Sequence, residues 1–160
     1  MKLKSLFVIF FLLIFIMIFG FYNKKSGNFE IQSEIYTTNC GEYEKREIII
    51  NSTVLSVDIS DSDCKRVLGL SGKTSLNEEG MLFVFNEVGN HGFWMKDMNF
   101  PIDILWIGTD YKIIGIENNV SPDSYPKSFG ETYLAKYVLE VQANFSLKNK
   151  IKLGDKIIFK

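Results

Sequence analysis

One stretch constrains this chain more than any other. Leu6–Tyr22 reads LFVIFFLLIFIMIFGFY, seventeen residues without a charge. As a helix rising 1.5 Å per residue it covers about 25 Å, close to the ~30 Å hydrocarbon core of a bilayer. It has no polar face, so it does not fit the surface of a globular domain. Lys2 and Lys4 precede it; Lys24 and Lys25 follow it. A cleaved signal ends in small residues, whereas Phe19, Gly20, Phe21 and Tyr22 are mostly bulky and suit an interfacial aromatic belt. The expectation is a single-pass signal anchor, with secretion after signal cleavage as the alternative. Two lysines and the α-amino group before the span, against two lysines after it, favour a cytoplasmic N-terminus and an extracytoplasmic remainder.

That run divides the chain into an anchor over 1–25, a tether over 26–44 and one domain over 45–160, a usual domain size. At 46% hydrophobic and net charge −1 the chain is too apolar and too weakly charged for general disorder. Setting aside Lys2, Lys4, Lys24 and Lys25 leaves 14 basic residues against 19 acidic ones, near −5 from Glu30 onward. A nucleic-acid partner is therefore not expected. The partners expected are the membrane, through the N-terminal helix, and an unknown small ligand or envelope protein.

The domain reads as mainly β. Arg46–Ile59 is rich in β-branched residues, and Leu55, Val57 and Ile59 alternate with Ser56 and Asp58, with Val54 the exception on the wet side. Ser60-Asp61-Ser62-Asp63 starts a short helix over Cys64–Leu68, with Ser60 or Asp61 as its cap and Gly69 as its stop. Further strands are expected at Met81–Phe85, Phe93–Met98, Ile102–Ile107, Lys112–Asn118, Tyr137–Ala143 and Ile157–Phe159, with a loop over Asn119–Thr132 and a helical turn over Asn144–Asn149. The fold class implied is a compact barrel or sandwich of short antiparallel strands with one or two short helices.

Candidate site residues follow from local geometry. If Asn99-Phe100 closes a hairpin, Lys96 faces Asp103 and Trp94 faces Leu105, placing an ion pair beside an aromatic ring. Asn-Phe is not a favoured hairpin turn and Pro101 lacks a donor. Such a pair is either a structural cross-strand contact or a ligand-binding site built from Trp94, Lys96 and Asp103. Glu140 shares a strand face with Val138 and Gln142; it is either a half-wet strand residue or an acid–base partner. Lys96, Asp103 and Glu140 are thus the weak catalytic candidates. His91 lies in Gly89-Asn90-His91-Gly92, a turn composition, and reads as an exposed loop histidine. Ser71-Gly72-Lys73-Thr74 lacks the upstream spacing of a phosphate loop. Cys40 and Cys64, both beyond the apolar run, permit one disulfide closing a loop of about 24 residues. One histidine and no CxxC give no zinc ligand set, and no cofactor is implied.

From about Val57 to Ile157 the chain resembles domain of unknown function family 192, also called uncharacterised protein family 0127. The blocks that carry the resemblance are Gly69-Leu70-Ser71-Gly72-Lys73, Gly80-Met81-Leu82-Phe83-Val84-Phe85, Phe93-Trp94-Met95-Lys96, Pro101-Ile102-Asp103-Ile104, Tyr137-Val138-Leu139-Glu140 and Gly154-Asp155. The resemblance implies a small, mainly β protein, often exported or anchored, and supplies no reaction. The chain departs from the family at Asp97-Met98, where Asn-Thr is common. It also departs in the proline loop, which lacks the cysteines of some members, and at Lys73, where arginine is frequent. The reading that results is a membrane-tethered envelope domain acting as a non-enzymatic binding module for a small molecule, glycan or protein. The alternative is a small envelope hydrolase using Lys96, Asp103 and Glu140.

Overall fold

The structure is a computed structural model and describes residues 40–76 and 79–160. The expected membrane span and nearly all of the expected tether lie outside the described residues. Among the described residues no helix is long and apolar enough to cross a membrane. Residues Glu42–Lys160 form one compact unit.

Seven strands make a single sheet: β1 (Glu44–Ile50), β2 (Thr53–Ser60), β3 (Gly80–Asn90), β4 (Ile102–Ile107), β5 (Ile113–Val120), β6 (Leu134–Gln142) and β7 (Ile157–Phe159). Their spatial order is β5-β4-β6-β3-β2-β1-β7, and the sheet curls into a half-barrel. Among the described residues two short helices accompany it, α1 (Asp63–Leu68) and α2 (Phe145–Lys148), with a 3-10 turn at Pro122–Ser124.

Arg46–Ile59 is not one strand but a hairpin, because Asn51 takes a left-handed φ of 56° and turns β1 back onto β2. The all-antiparallel expectation also fails at one place: β2 and β3 pair in parallel, from Val57↔Gly80 to Ser60↔Phe83. A parallel pair needs a crossover connection, and the segment carrying α1 supplies it. The cap of α1 is Ser62, whose hydroxyl accepts from the Lys65 N–H, rather than Ser60 or Asp61. Gly69 closes the helix at φ 51°, where a side chain would be strained. Ile102–Ile107 is a strand as expected, and all six of its residues are buried. Phe93–Met98 is not a strand; only Phe93 bridges another segment, pairing with Phe129.

Alternation along the strands splits the apolar residues between two faces. Ile48, Ile50, Leu55, Val57, Ile59, Leu82, Leu105, Leu139 and Val141 build an aliphatic core on one face. Met81, Phe83, Ile102, Ile104, Trp106 and Val138 form the other face, covered by Leu70, Leu76, Met95 and Phe129 from the connections. Both cysteines are disulfide-bonded.

Candidate functional site

The site lies on the second face, under the connections that cover it. Two chain segments lock together to make that cover. The Gly72 N–H donates to the Asp97 carbonyl at 2.9 Å, the Ser71 hydroxyl to the Lys96 carbonyl at 3.1 Å, and the Asn99 side-chain amide to the Lys73 carbonyl at 3.0 Å. Phe93 and Phe129 exchange backbone hydrogen bonds at 2.9 and 2.8 Å. The Trp106 indole donates to the His91 carbonyl at 2.8 Å. Gly130, at φ 81°, passes so close to the Trp106 ring that an added Cβ would overlap it.

Between this cover, α1 and the sheet lies a pocket of about 500 Å³, within the usual range for small-molecule sites. Its aromatic wall is Phe83, Phe85, Phe93 and Trp94. Phe83 and Phe93 meet edge to face at 4.8 Å. The His91 ring stacks on Phe85 at 3.5 Å, and the Arg66 guanidinium lies 5.5 Å from the Phe85 centroid. Arg66 is already committed, with one bond to the Val84 carbonyl at 2.7 Å and an ion pair with Asp63 at 2.6 Å. Burial lowers the pKa of His91, which favours a neutral ring. Trp94 remains 58% exposed at the rim and meets Tyr125 edge to face.

Glu140 is the polar group in the sheet wall of this pocket. It stands near the C-terminal end of β6, directly across from Met81 on β3 and Ile104 on β4. It is 5% exposed, and its Oε2 has no hydrogen-bond partner among the described residues. Burial pushes its pKa up to about 8, so at neutral pH the carboxyl is mostly protonated. Asp58 and Ser60 share its sheet face by register and alternation. Asp58 lies 3.3 Å from Lys45 and 3.5 Å from Lys73. The Lys65 and Lys73 ammonium groups flank the Tyr43 ring at 5.4 and 5.8 Å. Burial, and then the charge of Asp58, raise the Tyr43 pKa.

The sequence candidates are thus sorted into two groups. Trp94, Lys96 and Glu140 do line one pocket. Asp103 does not join them. It neighbours Ile104 along β4, and Ile104 is the residue directly across from Glu140, so Asp103 and Glu140 project from opposite faces of the sheet. The expected hairpin is absent, since β4 pairs with β5 and β6. No ion pair joins Lys96 to Asp103 among the described residues; Lys96 sits exposed in the 95–98 turn, which the Met98 N–H closes onto the Met95 carbonyl. Asp103 is fully buried and accepts backbone N–H bonds from Asn119, Asn144 and Ser146 at 2.8, 2.9 and 2.9 Å. It staples the end of β5 to the start of α2. His91 is not a free loop residue but part of the pocket wall. Sequence reasoning misses Arg66, Phe85 and Tyr43, whose roles depend on a crossover that local patterns do not reveal. The one available signal is Glu140 itself, a charge inside the apolar run of Tyr137–Val141.

The family described as Uncharacterized ACR, COG1430 (DUF192) matches residues 46–159. Similar solved structures include the following two. A protein from Sinorhizobium meliloti 1021, described as a candidate transcription regulator, is 26% identical with a TM-score of 0.71, covering 74% of this chain and 96% of its own. A protein of unknown function from Novosphingobium aromaticivorans DSM 12444 is 25% identical with a TM-score of 0.69, covering 75% of this chain and 89% of its own. No curated protein matches the chain.

Proposed function

This chain belongs to the DUF192 family, and we propose that it is a small-molecule binding module, held at the outer side of a membrane by Leu6–Tyr22. The observation that carries the binding reading is Glu140. A buried carboxyl with an unpartnered oxygen is costly to keep, and here it stands in the wall of a pocket rather than in solid core. A ligand seated in the pocket that draws this carboxyl toward itself recovers part of the cost on binding. Trp94 at the rim and Lys96 beside it add a ring face and a cation at the entrance. The Lys96, Asp103 and Glu140 hydrolase gains no support, because Asp103 faces the other side of the sheet. The transcription-regulator description of the Sinorhizobium meliloti neighbour does not carry over to this chain, whose residues from Glu30 onward carry near −5.

The test uses the full chain and its two tryptophans, of which only Trp94 lies at the pocket. Sets of small cationic, neutral and anionic aromatic and aliphatic compounds are titrated while tryptophan emission is followed. At least one compound produces a saturable change that is lost in Trp94→Phe, where buried Trp106 is the remaining reporter. If none does, the binding reading is wrong. The tether is tested separately by washing membranes with alkaline carbonate. An anchored chain stays in the pellet; a chain released to the supernatant is secreted instead.

A further inference from the structure

We propose that the pocket selects an organic ammonium, a small amine with an apolar body whose charged head docks on Glu140 among the aromatic rings. The inference rests on the binding reading above and names the ligand class for that site.

Four aromatic rings line the pocket, Phe83, Phe85, Phe93 and Trp94; Phe85 is already covered by His91 and Arg66, which leaves the other three to a ligand. Ring faces attract cations, the more strongly the drier the site. The polar group seated in the sheet is a carboxyl, Glu140, with one oxygen unpartnered. The cations nearby do not complete it. Arg66 uses two of its five N–H donors on Asp63 and the Val84 carbonyl and does not reach Glu140 Oε2, and Lys96 is exposed at the rim. A ligand that brings its own positive charge therefore gains on two counts, from the rings and from the carboxylate. An anionic ligand would have to approach a group that can only be neutral or negative.

The geometry also couples binding to a proton. The groups around Glu140 are Asp63 and Arg66 from α1, His91 and Lys96 from the β3–β4 connection, and Asp58 two strands away on its own row. Met81 and Ile104, directly beside it, carry no charge. With burial holding Glu140 protonated below about pH 8, the entering ammonium displaces one proton from the carboxyl to solvent. An alkyl amine itself stays cationic through this range, as lysine does with its pKa near ~10.4. Affinity therefore rises about tenfold per pH unit between pH 6 and 8 and levels off above.

Phenethylamine, 2-phenylethanol and phenylacetate share one ring and differ in the head group. Each is titrated against the full chain at about pH 6, 7, 8 and 9, following Trp94 emission, with Glu140→Gln alongside. The introduced amide mimics the protonated carboxyl in shape, and thermal melting checks that this variant folds. The expected result at pH 8 is at least tenfold tighter binding of the amine than of the alcohol. The amine's affinity falls about a hundredfold by pH 6, and its preference over the alcohol disappears in Glu140→Gln. If the alcohol or the acid binds as tightly as the amine, the pocket binds ligands but the ammonium assignment is overturned. It is overturned equally if the amine's affinity ignores pH or Glu140→Gln. If no compound saturates, in this set or in the broader sets above, the binding reading falls together with it.

Discussion

The two faces of the sheet solve the same burial problem differently. On one face, Leu55, Val57, Ile59, Leu82, Leu105, Leu139 and Val141 pack together as aliphatic side chains. The buried carboxylate on that side among the described residues, Asp103, accepts three backbone N–H bonds. On the other face the core is aromatic and thioether-rich, built around Trp106, Phe83, Met81 and Met95. It holds Asp58, Ser60 and Glu140, each with a buried side-chain oxygen lacking a hydrogen bond among the described residues, although an oxygen of Asp58 lies within ion-pair distance of Lys45. On the first face the Asp103 carboxylate is spent on holding loops. The second keeps polar capacity in reserve beside a pocket, and the reserve costs stability.

The largest effect expected from this contrast is a pH dependence. Below about pH 4.5 both folded and unfolded chains hold the Glu140 proton. Between about 4.5 and 8 only the folded chain holds it, so stability falls as pH rises through that window, by about 1.4 kcal/mol per unit, and is level above 8. The full loss is roughly 5 kcal/mol before any relaxation. Glu140→Gln removes it. Urea unfolding from pH 5 to 9 should show the variant gaining on the natural chain as pH rises, with the two nearly equal at pH 5. Equal slopes at all pH values would mean that Glu140 is not the reserve described here.

Asp103 should behave in the opposite way. Asp103→Ala leaves three backbone donors without their acceptor, each worth about 1–3 kcal/mol when buried. A loss of about 4 kcal/mol is expected, measured by urea unfolding at pH 7, with amide exchange speeding up at Asn119, Asn144 and Ser146. Ligand affinity per folded molecule should not change, because the carboxylate faces away from the pocket. A selective loss of binding would return Asp103 to the site. On the same face, Leu105→Ala opens a cavity in the aliphatic core and should cost about 3 kcal/mol. Its melting curve should shift without altering the pH slope that Glu140 sets.

The two faces are also unequally legible. Leu55, Val57 and Ile59 show their shared face in the sequence by simple alternation, and Ile102–Ile107 declares itself by an apolar run bounded by Pro101 and Gly108. These signals are local. The parallel pairing of β2 with β3 is not, because it depends on a crossover through α1. The Lys96–Asp103 hairpin fails for the same reason: local register rules give β4 its nearest sequence neighbour, whereas β6 and β5 flank it in the sheet. Phe93–Met98 has strand composition because its apolar residues pack down onto the sheet as cover, where Met95 is buried and Phe93 touches Phe83 and Trp106. Glu140 reads as half-wet only until that cover is known. Its strand is legible in the sequence; the segments over 70–76 and 93–100 that bury it are not.

The smallest stability effect should come from the exposed ring at the entrance of the pocket. Trp94 is 58% exposed and contributes little to the core, so Trp94→Ala should change unfolding free energy by less than about 1 kcal/mol. If it supplies the ring face at the entrance of the pocket, the same substitution should weaken amine binding several-fold, since a cation over an indole is worth about 0.5–2 kcal/mol. Proton-release calorimetry reads this variant, because its fluorescence reporter is gone. Stability and binding would then separate at Trp94 in the reverse sense to Asp103, where stability falls and binding persists. A Trp94→Ala protein that melts far earlier, with affinity intact, would make the rim part of the scaffold and dissolve the division between the two faces.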